Sequence, residues 1–284
     1  FNEDGTVAVV FNGEIYNYGQ LRNSLSNAGH DFSTETDTEV LVHLYEEEGP
    51  SFVSELEGMF AFALWDANKE RLLLARDRMG IKPLFLTQSG ESVSFASELN
   101  SLLAADVDHG GLDERAIAKY FAFGFVPTPQ TAFANIERVR PGEVVIVSDG
   151  ETERKSFYTP SITPHSPSLD TAARELRTLF DQSVSKRLQS DVPLGAFLSG
   201  GIDSSVVVGT MAELRDDPVQ TFTVGFDEDL FDESAAAREV ATYHDTDHHE
   251  YIVSPNEVRE LIPNIVSRLG EPFADQSLLP TYVV

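Results

Sequence analysis

The run LSGGIDSS, Leu198 to Ser205, has the residue types of an anion cradle. It follows apolar Gly195-Ala196-Phe197 and precedes Val206-Val207-Val208, which is the order strand, glycine-rich turn, helix. Such a turn points consecutive backbone N–H groups and a helix N-terminus at one place, which favours a phosphate. Gly200 and Gly201 let the backbone approach closely, and Ser199, Ser204 and Ser205 add hydroxyl donors. Asp203 repels a bare phosphate, so its chemical use there is to hold Mg2+ against a pyrophosphate. No Lys follows the glycines and GxGxxG is absent, so the turn is neither a Walker A loop nor a dinucleotide fingerprint. A tight βα turn capped by Ser and Asp is the plainer alternative. Glu271 and Asp275, in GEPFADQS, form a second acidic loop after a helical stretch. In an open α/β sheet such loops converge near one crevice. Surface acidity alone would also account for them.

The elements around these loops follow from periodicity. In the first half, 5–11 reads as a buried strand ending at Asn12-Gly13, and YGQLRNSLSNAG as a helix closed by Gly29. Thr36 with Glu39 reads as a capping box for the helix DTEVLVHLYEEEG. GMFAFALWD and RLLLARD form a hairpin across Ala67-Asn68-Lys69-Glu70, with helices expected at 97–104 and 113–122 and a strand at 143–148. This half is α+β, antiparallel and layered. Residues 154–168 carry three prolines and several serines and read as linker. Beyond them helices at 169–188, from 202, at 232–243 and at 256–268 alternate with the strands TFTVGF and HEYIVS, the pattern of a parallel α/β sheet. The expected division is therefore 1–155, a linker at 156–168, and 169–284.

A chain of 284 residues with 41% hydrophobic residues suits two domains. Forty-seven acids against twenty bases give a net charge of -27, with 24 acids and 10 bases in the first 150 residues and 23 and 10 in the rest. An acid excess spread so evenly argues against nucleic-acid or anionic-membrane partners. Cysteine is absent, which removes disulfides, thiolate metal sites and a cysteine nucleophile from this chain. No apolar run spans a bilayer and no signal peptide is visible, so a cytoplasmic location is expected.

FNGEIYN (11–17), TDTEV (36–40), LEGMFAFALWD (56–66), ARDRMGIKPLF (75–85), FASEL (95–99), FGFVPTPQTAF (123–133) and PGE (141–143) occur in the order seen in glutamine-hydrolysing asparagine synthetases. With SGGIDSS and GEPFAD added, nearly the whole chain resembles that family. The resemblance implies an N-terminal-nucleophile αββα sandwich, the glutaminase, followed by a parallel-sheet adenine nucleotide α-hydrolase-like ATP-pyrophosphatase domain. Both are expected to be incomplete, because the sequence opens on Phe1 and stops in the apolar run SLLPTYVV. It further implies that L-glutamine is hydrolysed in the first domain and that ammonia passes through an internal tunnel to the second. There ATP and Mg2+ convert L-aspartate to an acyl-adenylate, which ammonia attacks. A homodimer is compatible with the family.

Carried over by position, Asn12 and Gly13 resemble an oxyanion-hole pair, Glu14 a residue orienting glutamine, and Asp37 the partner of its α-amino group. Ordinary turn and cap chemistry would also explain Glu14 and Asp37. Leu198, Ser199, Gly200, Gly201, Asp203, Ser204 and Ser205 resemble the ATP loop, and Val224 a wall of the adenine pocket, though strand core would suit it equally. Glu271 resembles an active-site glutamate that aids proton removal, and Asp275 a second Mg2+ ligand beside Asp203. Arg76, Asp77, Arg78 and Lys82 are expected to form a structural ion-pair network. Phe121, Phe123 and Phe125 are expected to pack at the domain junction, and His248 and His249 to be structural.

The family's nucleophile is an N-terminal cysteine, which this sequence does not contain. FNGE and TDTE retain the glutamine-binding side, so a missing N-terminal segment is expected rather than an ammonia-only ligase. The polypeptide as it stands is expected to be inactive. Alternatives are a paralogous amidotransferase or amide- or lactam-forming ligase acting on another carboxylate, and a non-catalytic homologue. The charge of -27 serves no phosphate chemistry and predicts the cytoplasm of a salt-loving organism. Self-repulsion is screened near molar salt, where the Debye length is about 3 Å. Thermal stability is therefore expected to rise steeply with added KCl in a melting series, and an unchanged melting temperature in dilute buffer contradicts the reading.

Overall fold

The computed structural model describes residues 1–190, 192–226 and 232–283, which form two compact units. The first comprises Phe1–Ile162 and Arg268–Ala274. Its main sheet runs β1 (Val7–Ile15), β2 (Gly58–Asp66), β3 (Arg71–Arg76), β7 (Glu143–Ser148), β8 (Glu151–Ser156), antiparallel throughout. A second sheet has β4 (Phe85–Ser89) between β5 (Ser92–Ala96) and the short β6 (Glu137–Arg138). Helices α1 (Tyr18–Ala28), α2 (Val40–Glu48), α3 (Leu99–Ala104) and α4 (Glu114–Phe123) complete the unit.

The two-residue period of the strands sorts the side chains into layers. Phe60, Phe62, Leu64, Leu73 and Ile146 face α1 and α2, where Leu21, Leu25, Leu41, Leu44 and Tyr45 close the largest core. Ala61, Ala63, Leu74 and Val145 face the other way, onto Leu84 and Leu86 of the second sheet. The methyl side chains of Ala61 and Ala63 take little room between the two sheets. Phe85, one residue out of phase, points away from the first sheet onto Leu99, Leu102 and Ile136. Helix, sheet, sheet, helix is the resulting order, an αββα sandwich.

The second unit comprises Thr163–Ser267 and the segment from Asp275. Its sheet is parallel, in the order β11 (Asp247–Val253), β10 (Gln220–Phe226), β9 (Gly195–Phe197). Helices α5 (Leu169–Arg187), α6 (Ile202–Leu214), α7 (Ser234–Tyr243), α8 (Pro255–Leu269) and α9 (Leu278–Val283) alternate with or flank the strands. Val184, Met211 and Val219 form one small core; Leu198, Val208, Ala237 and Ala241 form another.

Several expectations change. β1 does not stop at Asn12-Gly13 but continues to Ile15, because Gly13 pairs with Phe60 and Ile15 with Gly58. The Thr36–Glu39 capping box does not form: Glu39 accepts the Ser33 N–H at 2.7 Å and the Thr34 N–H at 2.6 Å, tying the loop instead, and α2 starts at Val40. Arg154–Ser156 lie in β8, paired with β7, although the prolines just beyond suggested a linker from 154. The side chains around Arg76 make few ion pairs with one another. Arg76 donates to the carbonyls of Lys82, Val139 and Gly80 at 2.7–2.8 Å. Asp77 accepts the amides of Phe60, Met79, Ile81 and Lys82 at 3.0–3.1 Å. Phe121, Phe123 and Phe125 are 81%, 62% and 47% exposed rather than packed. Among the described residues, no helix is long and apolar enough to cross a membrane.

Tyr45, fully buried on α2, donates to Asp66 at 2.7 Å, and Asp66 accepts the Asn68 and Lys69 amides that turn the β2–β3 hairpin. Burial first, then the bond to Asp66, pushes the Tyr45 phenol from 10.0 up to about 12. A phenol whose folded pKa is raised stabilises the fold fully below the unfolded value and loses that contribution as pH climbs through the folded one. Urea titrations are therefore expected to show stability falling between pH 10 and 12. Tyr45→Phe should flatten that fall and cost about 1–3 kcal/mol at neutral pH.

Candidate functional site

In the second unit β9 ends at Phe197, and the chain turns through Leu198–Gly201 into α6, as the strand–turn–helix pattern demands. Gly200 sits at φ +75, and a Cβ there would lie 2.6 Å from Cβ of Ala236 and the Ala237 nitrogen, so only glycine fits. The serines organise the turn. Ser199 Oγ accepts the Gly201 amide at 3.3 Å and lies 3.1 Å from Ser204 Oγ. Ser204 and Ser205 donate to the Gly201 carbonyl at 3.2 and 2.7 Å. Asp203 is exposed in the first turn of α6.

A cavity of about 380 Å³ opens beyond the carboxyl ends of β9 and β10. Leu198, Ser199, Ser204 and Val224 line it, so the structure brings together these four expected ATP-loop and adenine-wall positions. Phe197, Phe222 and Phe226 supply apolar wall that the sequence reading missed. The signal was there: Phe222 and Phe226 stand two residues either side of Val224, on the same strand face. Thr221 and Thr223 are buried on the other face of β10; Thr223 reaches the cavity edge and donates to the Leu198 carbonyl, fixing the loop on β10. Glu233, Ser277, Pro280 and Thr281 complete the wall, so its one lining carboxylate is that of Glu233. Asp275 is exposed and does not line the cavity, but it accepts the backbone N–H and the hydroxyl of Ser277, both at 2.8 Å, and these bonds hold its carboxyl below the usual range. Hydroxyls, a helix N-terminus and the Glu233 carboxylate make a donor set suited to a Mg2+-bound polyphosphate, while Asp203 and Asp275 lie outside the cavity lining.

Glu271 is not part of the second unit. It belongs to the first unit, where its side chain pairs with Arg138 and accepts the Ala132 amide at 3.0 Å. Burial, and then the neighbouring Arg76 charge, push Arg138 down to about 10. Arg138 also donates to the carbonyls of Val126 and Gln130. Nothing in its sequence surroundings marks Arg138, since its carboxylate partner, Glu271, is distant in the chain.

The glutamine-binding candidates share the far end of β1. Asn12 opposes Ala61 and Gly13 opposes Phe60. A Cβ on Gly13 would lie 2.1 Å from the Met59 carbonyl oxygen, so the strand requires glycine there. Asp37 Oδ2 accepts the Ile15 amide at 2.8 Å, which seats the α1–α2 loop against the Glu14–Ile15 step. Asn12, Gly13, Glu14 and Asp37 are thus collected along one strand end, all partly buried. His248 is held between Thr221 Oγ1 at 2.9 Å and Glu250 at 3.2 Å.

A family model of the glutamine amidotransferase domain matches residues 1–158, and one of asparagine synthase matches residues 175–284. The chain belongs to the glutamine-hydrolysing asparagine synthetase family. It is 40% identical to a Bacillus subtilis (strain 168) protein named asparagine synthetase [glutamine-hydrolyzing] 1, over 99% of this chain and 44% of that one. It is 36% identical to a Methanocaldococcus jannaschii protein named putative asparagine synthetase [glutamine-hydrolyzing] 2, over 98% of this chain and 54% of that one. The chain therefore spans about half the length of the curated relatives it matches. Among solved structures, glutamine phosphoribosylpyrophosphate amidotransferase from Bacillus subtilis, complexed with ADP and GMP, aligns with TM-score 0.39 and 20% identity, covering 88% of this chain and 46% of that one.

Gly200→Ala tests the loop geometry. The added methyl meets backbone of α7, so the variant is expected to lose about 1–3 kcal/mol in urea unfolding. Gly201→Ala, whose Cβ would meet only Ser199 Oγ at 3.3 Å, should cost far less.

Proposed function

We propose that this chain is part of an enzyme that converts L-aspartate to L-asparagine, using ATP and ammonia released from L-glutamine. The observation that carries the reading is the cavity shared by Leu198, Ser199, Ser204 and Val224 at the start of α6. Its phenylalanine and valine walls suit a purine. The hydroxyls and the α6 N-terminus suit phosphates, and Asp203 and Asp275 are the carboxylates that would hold Mg2+ there. Mg2+ supplies charge neutralisation on the polyphosphate.

A carboxylate is a poor acyl donor, so the aspartate side chain first attacks the α-phosphorus of ATP. The bond to the bridging oxygen breaks and pyrophosphate leaves. Ammonia then adds to the acyl carbon of the aspartyl-adenylate, and AMP departs with the former carboxylate oxygen. The residues of this chain orient the adenine and phosphates for that displacement. Glu271 can accept the proton lost by ammonia only if its pair with Arg138 opens. In the first unit, the Asn12 side-chain amide and the Gly13 N–H are suited to an oxyanion formed on glutamine, while Glu14 and Asp37 would hold its α-amino end. Ammonia kept from bulk water stays unprotonated and nucleophilic.

A second reading is a related amide-forming ligase on another carboxylate. It has support because a relative with a name other than asparagine synthetase, a Penicillium rubens protein named amidase chyE, is 35% identical over 87% of this chain and 39% of that one. AMP and pyrophosphate release by the protein containing this chain, assayed with ATP, an ammonium salt and aspartate, separates the two. Turnover that ignores aspartate defeats the asparagine reading. Asp203→Asn is expected to lower pyrophosphate release by about 10²–10³ and leave glutamine hydrolysis intact. Asn12→Ala should do the reverse, and equal loss of both activities in either variant contradicts the division of labour.

A further inference from the structure

Away from both candidate sites, two imidazoles and two carboxylates converge within the first unit. Single donor atoms of Glu3, His30, His43 and Glu46 all lie within 4.8 Å of one another. His43 Nδ1 is 3.4 Å from Glu3 Oε2 and 3.4 Å from Glu46 Oε2. His30 Nδ1 is 3.4 Å from Glu3 Oε1 and 3.8 Å from Glu46 Oε2. These separations are long for charge-assisted hydrogen bonds, which close to about 2.7–2.9 Å. Three of them equal the edge of a coordination tetrahedron, since bonds of about 2.0–2.1 Å to a central ion hold its donor atoms roughly 3.3–3.4 Å apart. The others, up to 4.8 Å, need only small side-chain rotations to close on an ion.

The outer ring nitrogens point the same way. His30 Nε2 lies 3.0 Å from Glu47 Oε1, and His43 Nε2 lies 3.7 Å from Glu39 Oε1. Each imidazole thus turns Nδ1 inward and Nε2 toward a further carboxylate, the arrangement by which metal-bound histidines are oriented and made more basic. His43 is wholly buried, and its Nε2 has no hydrogen-bond partner within normal reach. Among the described residues, the ion-pair partners of Glu3, Glu39, Glu46 and Glu47 are these two histidines and no Lys or Arg. Four carboxylates with no Lys or Arg among their partners leave a negative charge that a divalent cation would offset.

The local structure holds each donor in place. His43 and Glu46 are three residues apart on α2 and share a face. Gly29 ends α1 in a left-handed turn, and the His30 amide bonds back to the Leu25 carbonyl at 3.1 Å, aiming the ring inward. Glu3 Oε1 accepts the Asp31 amide at 3.3 Å. Asn2 donates to Glu46 Oε1 at 2.7 Å and accepts the Val7 amide at 2.9 Å, leaving Glu46 Oε2 for the centre. The Phe32 ring packs edge-on against His43 at 4.7 Å and shields one side from water.

We propose that Glu3, His30, His43 and Glu46 bind one divalent transition-metal ion, with zinc the ion their His2Glu2 set fits. The site is structural. It joins the N-terminal segment, the end of α1 and the middle of α2, and so anchors the loop that carries Asp37. Its ligands include none of the residues assigned to glutamine or ATP.

The test uses the untagged chain, stripped with a chelator, and Co2+ as a spectroscopic probe. One equivalent of Co2+ should produce visible d–d bands of four-coordinate intensity, and one equivalent of Zn2+ should abolish them. Glu3→Gln and Glu46→Gln act on partly exposed carboxylates and keep side-chain shape, so both should fold. Each is expected to lose the bands and the rise in melting temperature that Zn2+ gives the parent chain. Glu47→Gln should keep four-coordinate bands but weaken Zn2+ binding about 10–100-fold. A spectrum of six-coordinate intensity with the parent chain overturns the proposal. So does equal Zn2+ affinity in the Glu3 and Glu46 variants, because acidic surface rather than this cluster would then be the binding site.

Discussion

The first unit depends on two adjacent buried charges, Arg76 and Asp77. One guanidinium gathers the carbonyls of Gly80, Lys82 and Val139, and one carboxylate gathers the amides of Phe60, Met79, Ile81 and Lys82. Burial alone pulls the Arg76 pKa down, with the Asp77 charge opposing it, so the pair is tolerable only because its donors and acceptors are satisfied. The bonds join β2, the end of β3, the turn toward β4 and the approach to β6 and β7. The two sheets are therefore held in register by hydrogen bonds from these two side chains to the backbone as well as by the layer of Ala61, Ala63 and Leu86 between them. Gly80 is obligatory beside this pair, because a Cβ would lie 2.8 Å from Pro141 and 3.1 Å from the guanidinium carbon.

Both candidate sites use the same economy of design: a strand supplies the position, and a glycine removes the side chain that would block it. Gly13 lets β1 and β2 pair where Asn12 and Glu14 must project. Gly200 lets the α6 turn lie against α7, and this brings Ser199 and Ser204 to the cavity edge. In each case a residue remote in sequence completes the arrangement, Asp37 through the Ile15 amide and Thr223 through the Leu198 carbonyl. The functional groups are thus carried on regular elements, with loops tied to them by hydrogen bonds from remote residues. Such a scaffold limits how far the groups can drift from one another.

Local chemistry made much of this legible. The hydrophobic alternation of GMFAFALWD and RLLLARD fixed a hairpin and its two faces, and Gly29 fixed a helix end. The serine and glycine types of LSGGIDSS gave the turn into α6. The reading failed where a tertiary contact overrides the local pattern. Glu39 has the spacing of a capping residue, yet it binds Ser33 and Thr34, since the loop before α2 is drawn toward β1 by Asp37. Glu271 has the surroundings of a substrate loop, and its pairing with Arg138, an arginine with no local mark, was not legible there. Phe121, Phe123 and Phe125 alternate as core residues would, but on and after a helical segment that period does not define one buried face.

By itself the sequence determined the strand–turn–helix at Leu198–Ser205, the antiparallel hairpin, the parallel alternation of the second half and the family to which these motifs belong. All are set by contacts within a few residues or by side-chain period, so the local chain contains the information. The tertiary structure alone decided which carboxylates meet which cations, which wall faces the cavity, and that Glu3, His30, His43 and Glu46 converge. Those outcomes depend on how helices and sheets stack, and stacking brings together residues separated by 40 positions or more, Glu3 and His43 among them.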